Sequence, residues 1–459
     1  MENVPIVDTS SEGMAVGKID DLVIFVKGAV PGDVANVQIQ RYKKSFAEGN
    51  VDRIVTPSPD RISSECLHFG TCGGCKWQHL NYAAQLKYKQ KTVNDAMVRI
   101  AGINEVPTAQ IIPSQNTYYY RNKLDFAFSS KKWLTKEMIN SEEFFDNRNG
   151  LGFHLPGLFD KVIDIEHCHL QPSPSNEIRL EIKKYALDNF LPFFDIREKT
   201  GFLRTLMIRT STTGQVMVVI GFVEERKETI RKLLEHLKEK FPSISSLMYF
   251  INQKGNDTFG DLDVHLFSGT PYIEERMENL TFRIGPKSFY QTNSDQAYAL
   301  YKHARELAGL TGNEVVYDLY TGTGTIANFV AGKAGKVIGV DYVVEAIEDA
   351  KINSQVNSID NTVFFAGDMK DIFTDTFVSE HGKPDVIITD PPRAGMHPAV
   401  LQVLLKSGAE KIVYVSCNPA TQARDLVTLQ EKYNVIKIQP VDMFPQTHHV
   451  ENIVLMVRK

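Results

Sequence analysis

Val315-Val316-Tyr317-Asp318-Leu319-Tyr320-Thr321-Gly322-Thr323-Gly324-Thr325 is the stretch that decides the fold. Its first half is a β-branched and aromatic run of the kind that fills a buried strand. The glycines that follow let the backbone approach a ligand and open a helix whose N-terminal amides face it. Working outward, strands are expected at Val315–Tyr320, Lys336–Val340, Val363–Ala366, Val386–Thr389, Lys411–Val415, Val435–Val441 and Asn452–Arg458. Helical segments such as Ala327–Ala334 and Val344–Asn357 fill most of the gaps. Strands alternating with helices predict an α/β fold built on a doubly wound, seven-stranded sheet, with its ligand at the carboxyl ends of the strands.

A lone Gly-x-Gly serves NAD, FAD and S-adenosylmethionine (SAM) sites alike. The next strand ends Gly339-Val340-Asp341, where an acid accepts from ribose hydroxyls, and the third ends Gly367-Asp368, placed to meet an adenine edge. No G-x-x-x-x-G-K-[ST] pattern is present, and Ala327 stands where a dinucleotide fingerprint needs its third glycine. One acid after each of strands two and three, with no pyrophosphate cradle, fits SAM better than a dinucleotide.

Two more strands end in chemistry. Asp385-Val-Ile-Ile-Thr-Asp390-Pro391-Pro392-Arg393 stops at an acid and a rigid double proline. Val413-Tyr-Val-Ser416-Cys417-Asn418-Pro419 stops at a thiol held between serine and asparagine. A lone cysteine at a strand end is ordinarily core packing. Here the last strand also opens on a carboxylate, in His448-His449-Val450-Glu451-Asn452.

Upstream, residues 1–57 alternate in the β manner at Met14–Ile19, Leu22–Val26, Asp33–Ile39 and Gly49–Val55, which suggests a small barrel of the oligonucleotide-binding type. Then come Cys66, Cys72 and Cys75, with Gly73 and Gly74 turning the chain between the last two, and Cys168 much later. Four thiolates suit tetrahedral zinc or a [4Fe–4S] cluster, and His68, His79, His167 and His169 leave a mixed zinc site open. Residues 58–285 form a mixed α+β region. In it Tyr82–Ile100 reads as a helix with Lys87, Lys89, Lys91 and Arg99 on a solvated face. Tyr118-Tyr119-Tyr120-Arg121-Asn122-Lys123 mixes rings and cations suited to an unstacked RNA base. The methyl-donor domain would be 286–459.

The whole chain has 459 residues, 42% of them apolar, 23% charged, and a net charge of −5. That balance excludes a globally basic nucleic-acid binder, so RNA would be held by local patches. There is no 18-residue apolar run and no charged-then-apolar leader, and five cysteines make an odd number for a disulfide framework. A soluble, cytoplasmic monomer without membrane association is expected.

Taken in order, Phe289-Tyr-Gln291-Thr-Asn293, Asp318-Leu-Tyr-Thr-Gly-Thr-Gly324, Asp390-Pro-Pro-Arg393, Ser416-Cys-Asn-Pro419 and His449-Val-Glu451 resemble the motifs of the SAM-dependent RNA 5-methyluridine methyltransferases. Glu12-Gly13-Met14-Ala15-Val16-Gly17 and Val30-Pro31-Gly32-Asp33 resemble the TRAM domain, an RNA-binding barrel. The resemblance implies that Cys417 is the nucleophile and Glu451 the base, and that Gln291, Tyr320, Asp341, Asp368 and Asp390 are SAM or site ligands. The cysteine pattern is similar to that of the ribosomal-RNA branch, which implies a [4Fe–4S] cluster on Cys66, Cys72, Cys75 and Cys168 and large-subunit (23S) rRNA as substrate. This chain has Thr321 and Thr325 where the family often has cysteine or glycine, and Asp341 where it often has glutamate. The rivals are a transfer-RNA enzyme of the same family, an amino-directed N-methyltransferase that would need neither Cys417 nor Glu451, and an iron–sulfur RNA binder with a dead methyltransferase fold.

Overall fold

Alternation builds the first 56 residues. In the computed structural model, which describes residues 1–140 and 148–459, strands β1 (Val4–Thr9), β2 (Ala15–Ile19), β3 (Leu22–Lys27), β4 (Val34–Tyr42) and β5 (Phe46–Thr56) close a barrel in the order β1-β2-β3-β5-β4. Every second side chain, among them Val4, Ile6, Ile24, Val26 and Val37, points into one apolar core. Closure comes from the parallel pairing of β3 with β5, and Gly49 lets β5 lie close against β4 on its other side. A Cβ there would sit 2.6 Å from the Gln38 carbonyl oxygen. The first strand was not expected. Pro5 and Asp8 interrupt its apolar run, but Pro5 lies on the exposed side, where its missing N–H costs little.

The chain divides into two units: residues 1–65, 74–117 and 295–459 form the first, and residues 66–73 and 118–294 the second. The second unit is a seven-stranded sheet made from β6 (Lys123–Ser129), β7 (Gly150–Leu155), β8 (Leu158–Asp164), β9 (Leu203–Thr210), β10 (Val216–Phe222), β11 (Ile244–Ile251) and β12 (Val264–Gly269), in the order β12-β11-β10-β9-β6-β7-β8. The hairpin β13 (Ile273–Met277) and β14 (Leu280–Ile284) follows. Helices Ser175–Asp188 and Lys227–Lys240 cover one face. Ile178, Ile182, Leu233 and Leu237 pack there on Leu124, Phe126, Leu206 and Ile208.

The first unit holds β15 (Val315–Leu319), β16 (Lys336–Asp341), β17 (Thr362–Ala366), β18 (Val386–Thr389), β19 (Lys411–Ser416), β20 (Tyr433–Val441) and β21 (Glu451–Arg458). Their order is β17-β16-β15-β18-β19-β21-β20, parallel except for β21, which runs against both neighbours. All seven strands lie where the sequence places them. Tyr317, Ile338, Ile387, Ile412 and Tyr414 are almost fully buried in the core they share with helix Tyr82–Arg99. That helix corrects one expectation. Lys89 is not solvated but fully buried, donating to the Asp442 carboxylate and to the Phe444 carbonyl at 2.9 Å. Tyr82 donates to the same carboxylate at 2.9 Å. Together they clamp the segment that leads into β21. Among the described residues no helix is long and apolar enough to cross a membrane.

Candidate active site

Strand ends make the site. β18 stops because Pro391 and Pro392 offer no amide to a continuing ladder, and the Gly395 amide donates back to the Pro392 carbonyl at 2.8 Å. β19 stops at Ser416, whose hydroxyl accepts the Asn418 amide at 3.1 Å. Asn418 in turn caps helix Pro419–Leu429 by accepting from the Ala420 amide at 3.1 Å. Cys417 is thus the single residue between two braced neighbours. Asn418 Nδ2 and the Thr421 hydroxyl both donate to the Arg393 carbonyl, at 3.2 and 3.1 Å, tying the thiol's loop to the double-proline loop.

Register supplies the rest. β19 and β21 pair Ser416 with Asn452, so the neighbouring Glu451 falls beside Cys417 at the rim. Leu319 pairs with Thr389 and with Val340, which sets Tyr320, Asp341 and Asp390 along the same edge.

The electrostatics follow from how dry this rim is. Burial pushes the Cys417 thiol up to about 11, with Glu451 and Asp390 adding to the rise and the Arg393 guanidinium opposing it. Glu451 is 3% exposed, and burial followed by its proximity to Asp390 holds its carboxyl well above the usual range. Asp390 is raised by burial too. Two carboxyls that resist ionisation beside one thiol make a site able to take and hold protons. Arg393 also reaches the His449 ring at 3.3 Å. The thiol's position gives a direct prediction. Alkylation of the Cys417 peptide by iodoacetamide rises about tenfold per pH unit until the pH nears 11. Arg393→Ala moves that profile further up, because the opposing cation is gone; an unmoved profile, read by peptide mass spectrometry, removes Arg393 from the site's electrostatics.

A second cradle lies at the ends of β15, β16 and β17. Tyr320 is held left-handed, at φ 64°, which a tyrosine adopts only under constraint. A Cβ on Gly322 would meet open space, whereas one on Gly324 would sit 2.8 Å from Ala350. The first glycine clears room for a ligand and the second lets two helices pack. Asp341 accepts from the Gly322 amide at 2.9 Å through one oxygen and from the Val343 amide at 2.9 Å through the other, and this orients it. Asp368 is exposed and caps its own helix. Asp318 was not singled out as a ligand, because mid-strand it reads as part of the core. Its Oδ2 accepts from Thr321 and from the Ala327 amide, while its Oδ1 is buried with no partner among the described residues. Burial pushes it up to about 7.

Other expected residues lie elsewhere. Gln291 belongs to the second unit, where its carbonyl accepts from Asn122 Nδ2 at 2.9 Å. Tyr120 is 7% exposed and is no stacking platform; the accessible ring of that run is Tyr119, at 45%. Cys66, Cys72 and Cys168 lie in the second unit and Cys75 in the first. Burial raises Cys168, with Cys66 near enough to add to it. Among the described residues no three Cys, His, Asp or Glu side chains gather as a single-ion site. Two residues beyond Cys75, Trp77 ties the barrel to the rim: its amide donates to Gln446 and its indole N–H to the Gly13 carbonyl, at 3.0 and 3.1 Å.

A sheet of this order, with acids at the ends of its first strands, defines a SAM-dependent methyltransferase. The model of the tRNA (uracil-5-)-methyltransferase family matches residues 210–459, and that of the TRAM domain residues 2–51. An uncharacterized RNA methyltransferase of Porphyromonas gingivalis is 55% identical, over 99% of both chains. One of Bacteroides thetaiotaomicron is 54% identical, over 97% of this chain and 99% of the other. The crystal structure of Pyrococcus abyssi tRNA (uracil-54, C5)-methyltransferase with S-adenosyl-L-homocysteine superposes with a TM-score of 0.77 at 29% identity, covering 100% of both chains. This chain belongs to the tRNA (uracil-5-)-methyltransferase family, and it is an RNA methyltransferase.

Proposed function

We propose that the chain methylates C5 of a uridine in RNA through a covalent adduct between Cys417 and C6, with Glu451 as the base. The observation that carries this reading is the meeting of Cys417, Glu451 and Asp390 at one dry rim. Uracil C5 is a poor nucleophile. Cys417 gives up its proton to water and adds to C6 as the thiolate, and the C5–C6 π electrons shift to make the ring an enolate whose C5 can attack an electrophilic carbon. Tyr320, Asp341, Asp368 and Asp390 would hold SAM. Bound there, SAM supplies a sulfonium methyl. Gln291 is assigned to the uracil edge by resemblance alone. Once C5 carries both methyl and hydrogen, Glu451 takes that hydrogen as a proton and the C6–S bond breaks, returning the electron pair to sulfur. The raised carboxyl suits the task, since a base with a higher pKa accepts a proton more readily. A base inside a folded loop must be extruded to reach the rim.

The test uses RNA containing 5-fluorouridine. Fluorine does not leave as a proton, so wild-type protein and SAM should give a protein–RNA species that survives denaturation. If no such species forms while the same protein methylates ordinary RNA, the adduct is excluded.

For the RNA class, the cysteine spacing supports large-subunit rRNA, and the full-length likeness to a P. abyssi tRNA enzyme supports tRNA as the second reading. Mass mapping of 5-methyluridine in both RNAs, from a strain lacking the gene, separates them. The cluster reading rests on the same spacing and on the closeness of Cys66 to Cys168. Anaerobically purified protein should be brown and carry about four irons per chain; stoichiometric zinc without iron would reverse it.

A further inference from the structure

The sheet of the second unit is covered by helices on one face, yet its other face is not simply solvated. Leu124, Phe126 and Leu206 alternate with Asp125, Ala127, Thr205 and Met207, which form the floor of a cavity of about 530 Å³. That volume is of the size that takes a drug-sized ligand. Small residues create the hollow: Ala127 pairs with Thr205, and Thr205 with Gly221. A Cβ on Gly221 would fall 2.7 Å from the Phe250 ring, so glycine is what lets that ring lie over the sheet. Phe250, 1% exposed, backs Phe259 in a parallel stack at 4.7 Å and 15°. Phe259 is half-buried and forms the cavity wall.

The wall is built rather than incidental. Arg204 is 1% exposed and donates to the carbonyls of Asn252, Lys254 and Asn256 at 2.8, 2.8 and 2.7 Å, and to Asp257 Oδ1 at 2.9 Å. A buried guanidinium costs free energy unless its donors are satisfied. Here all the named bonds go to one surface loop, pinning it and presenting Asp257, which also faces His154 at 3.7 Å. Lys123 and Lys287 stand at the lip, with Lys123 at 3.3 Å from Asp125. The cavity therefore offers a rigid ring, two carboxylates and two ammonium groups.

We propose that this cavity holds one unpaired nucleotide of the RNA, separate from the uridine that is methylated, and that it prefers a base with an exocyclic amine. A ring face suits a nucleobase, and lysines at the lip suit its phosphate. Asp125 and Asp257 accept hydrogen bonds and cannot donate them, so the exocyclic amine of adenine, cytosine or guanine can give an N–H to each, whereas uracil offers only its single imide N–H. The inference rests on the reading of this chain as RNA-binding, and its test does not depend on methyl transfer.

The probes are fluorescent single-stranded ten-residue oligoadenylate, oligocytidylate and oligouridylate, titrated into the full chain at fixed salt and read by anisotropy. Oligoadenylate and oligocytidylate should bind at least about fivefold more tightly than oligouridylate, the scale that one stacked and hydrogen-bonded base supports. Phe259→Ala removes the ring. Gly260→Phe fills the cavity from a position where a Cβ meets nothing within 4 Å. Both should bring the first two probes down to the level of the third, while an unchanged thermal unfolding profile of the full chain, read by circular dichroism, shows that each variant is folded. Equal binding of all three probes by the wild type overturns the base preference. A preference that survives Gly260→Phe overturns the site. If the wild type labels no RNA from SAM, the parent reading fails instead, which is a separate result.

Discussion

Replacing Cys417 with alanine should abolish methyl transfer to RNA if the thiol is the proposed nucleophile, lowering the rate by at least about 10⁴-fold. On the proposed mechanism the variant lacks the addition that makes C5 reactive. The fold should survive. Cys417 is half-buried in a loop that Ser416, Asn418 and Thr421 hold independently of the sulfur, so the loss in stability is about 1 kcal/mol. SAM affinity should be unchanged, because Tyr320 and Asp341 end other strands. The measurement is incorporation of labelled methyl from SAM, together with trapping on 5-fluorouridine RNA. An amino-directed methyltransferase, for which Asp390-Pro-Pro would simply present an exocyclic amine, predicts the opposite. Retained activity in Cys417→Ala would establish that rival.

Much of the candidate site could be read from the chain because most of its residues sit at marked stops. Asp368 follows a glycine and Asp341 stands two residues after one, Asp390 precedes two prolines, and Cys417 is followed by Asn-Pro. Breakers of this kind are local, so a sequence displays them. What it does not display is register. Nothing near Glu451 says that β21 runs antiparallel to β19 with Asn452 opposite Ser416, and that pairing is what sets the carboxylate beside the thiol. The resemblance supplied the role expected of Glu451, and the register sets the carboxylate beside the thiol as that role would need.

The misses share a cause. Lys89 and Tyr120 were assigned to solvent and to RNA from residue type and spacing. A long side chain follows its partner instead, and Asp442 draws Lys89 inward across more than 350 positions of sequence. Asp318 was not named among the candidate residues because an acid within a β-branched run differs from core only once its second oxygen is seen to be unpartnered. The cavity of the second unit is the extreme case. Its floor and wall come from four strands and two loops, with no motif joining them, whereas the geometry of a strand end needs a few adjacent residues.

Glu451→Gln should fail differently from Cys417→Ala. The substitution keeps the shape of the side chain and removes a carboxyl whose charge is already disfavoured by burial and by Asp390. Stability should therefore hold or rise, since an unpaired buried charge is not replaced by another. Cys417 remains free to add to C6, and C5 remains able to accept the methyl group. The next step is lost. With no base to take the C5 hydrogen, the electron pair that would expel sulfur stays in the C–H bond, and the adduct persists. Turnover should drop by about 10²–10⁴-fold, the usual worth of a positioned general base. Denaturing gels should show a protein–RNA band carrying methyl label from SAM. The same band should vanish in the Cys417→Ala, Glu451→Gln double variant, which ties it to the thiol. A Glu451→Gln enzyme that turns over normally, or that stalls without a methyl-labelled adduct, would move the base to another group, with Asp390 the first to examine.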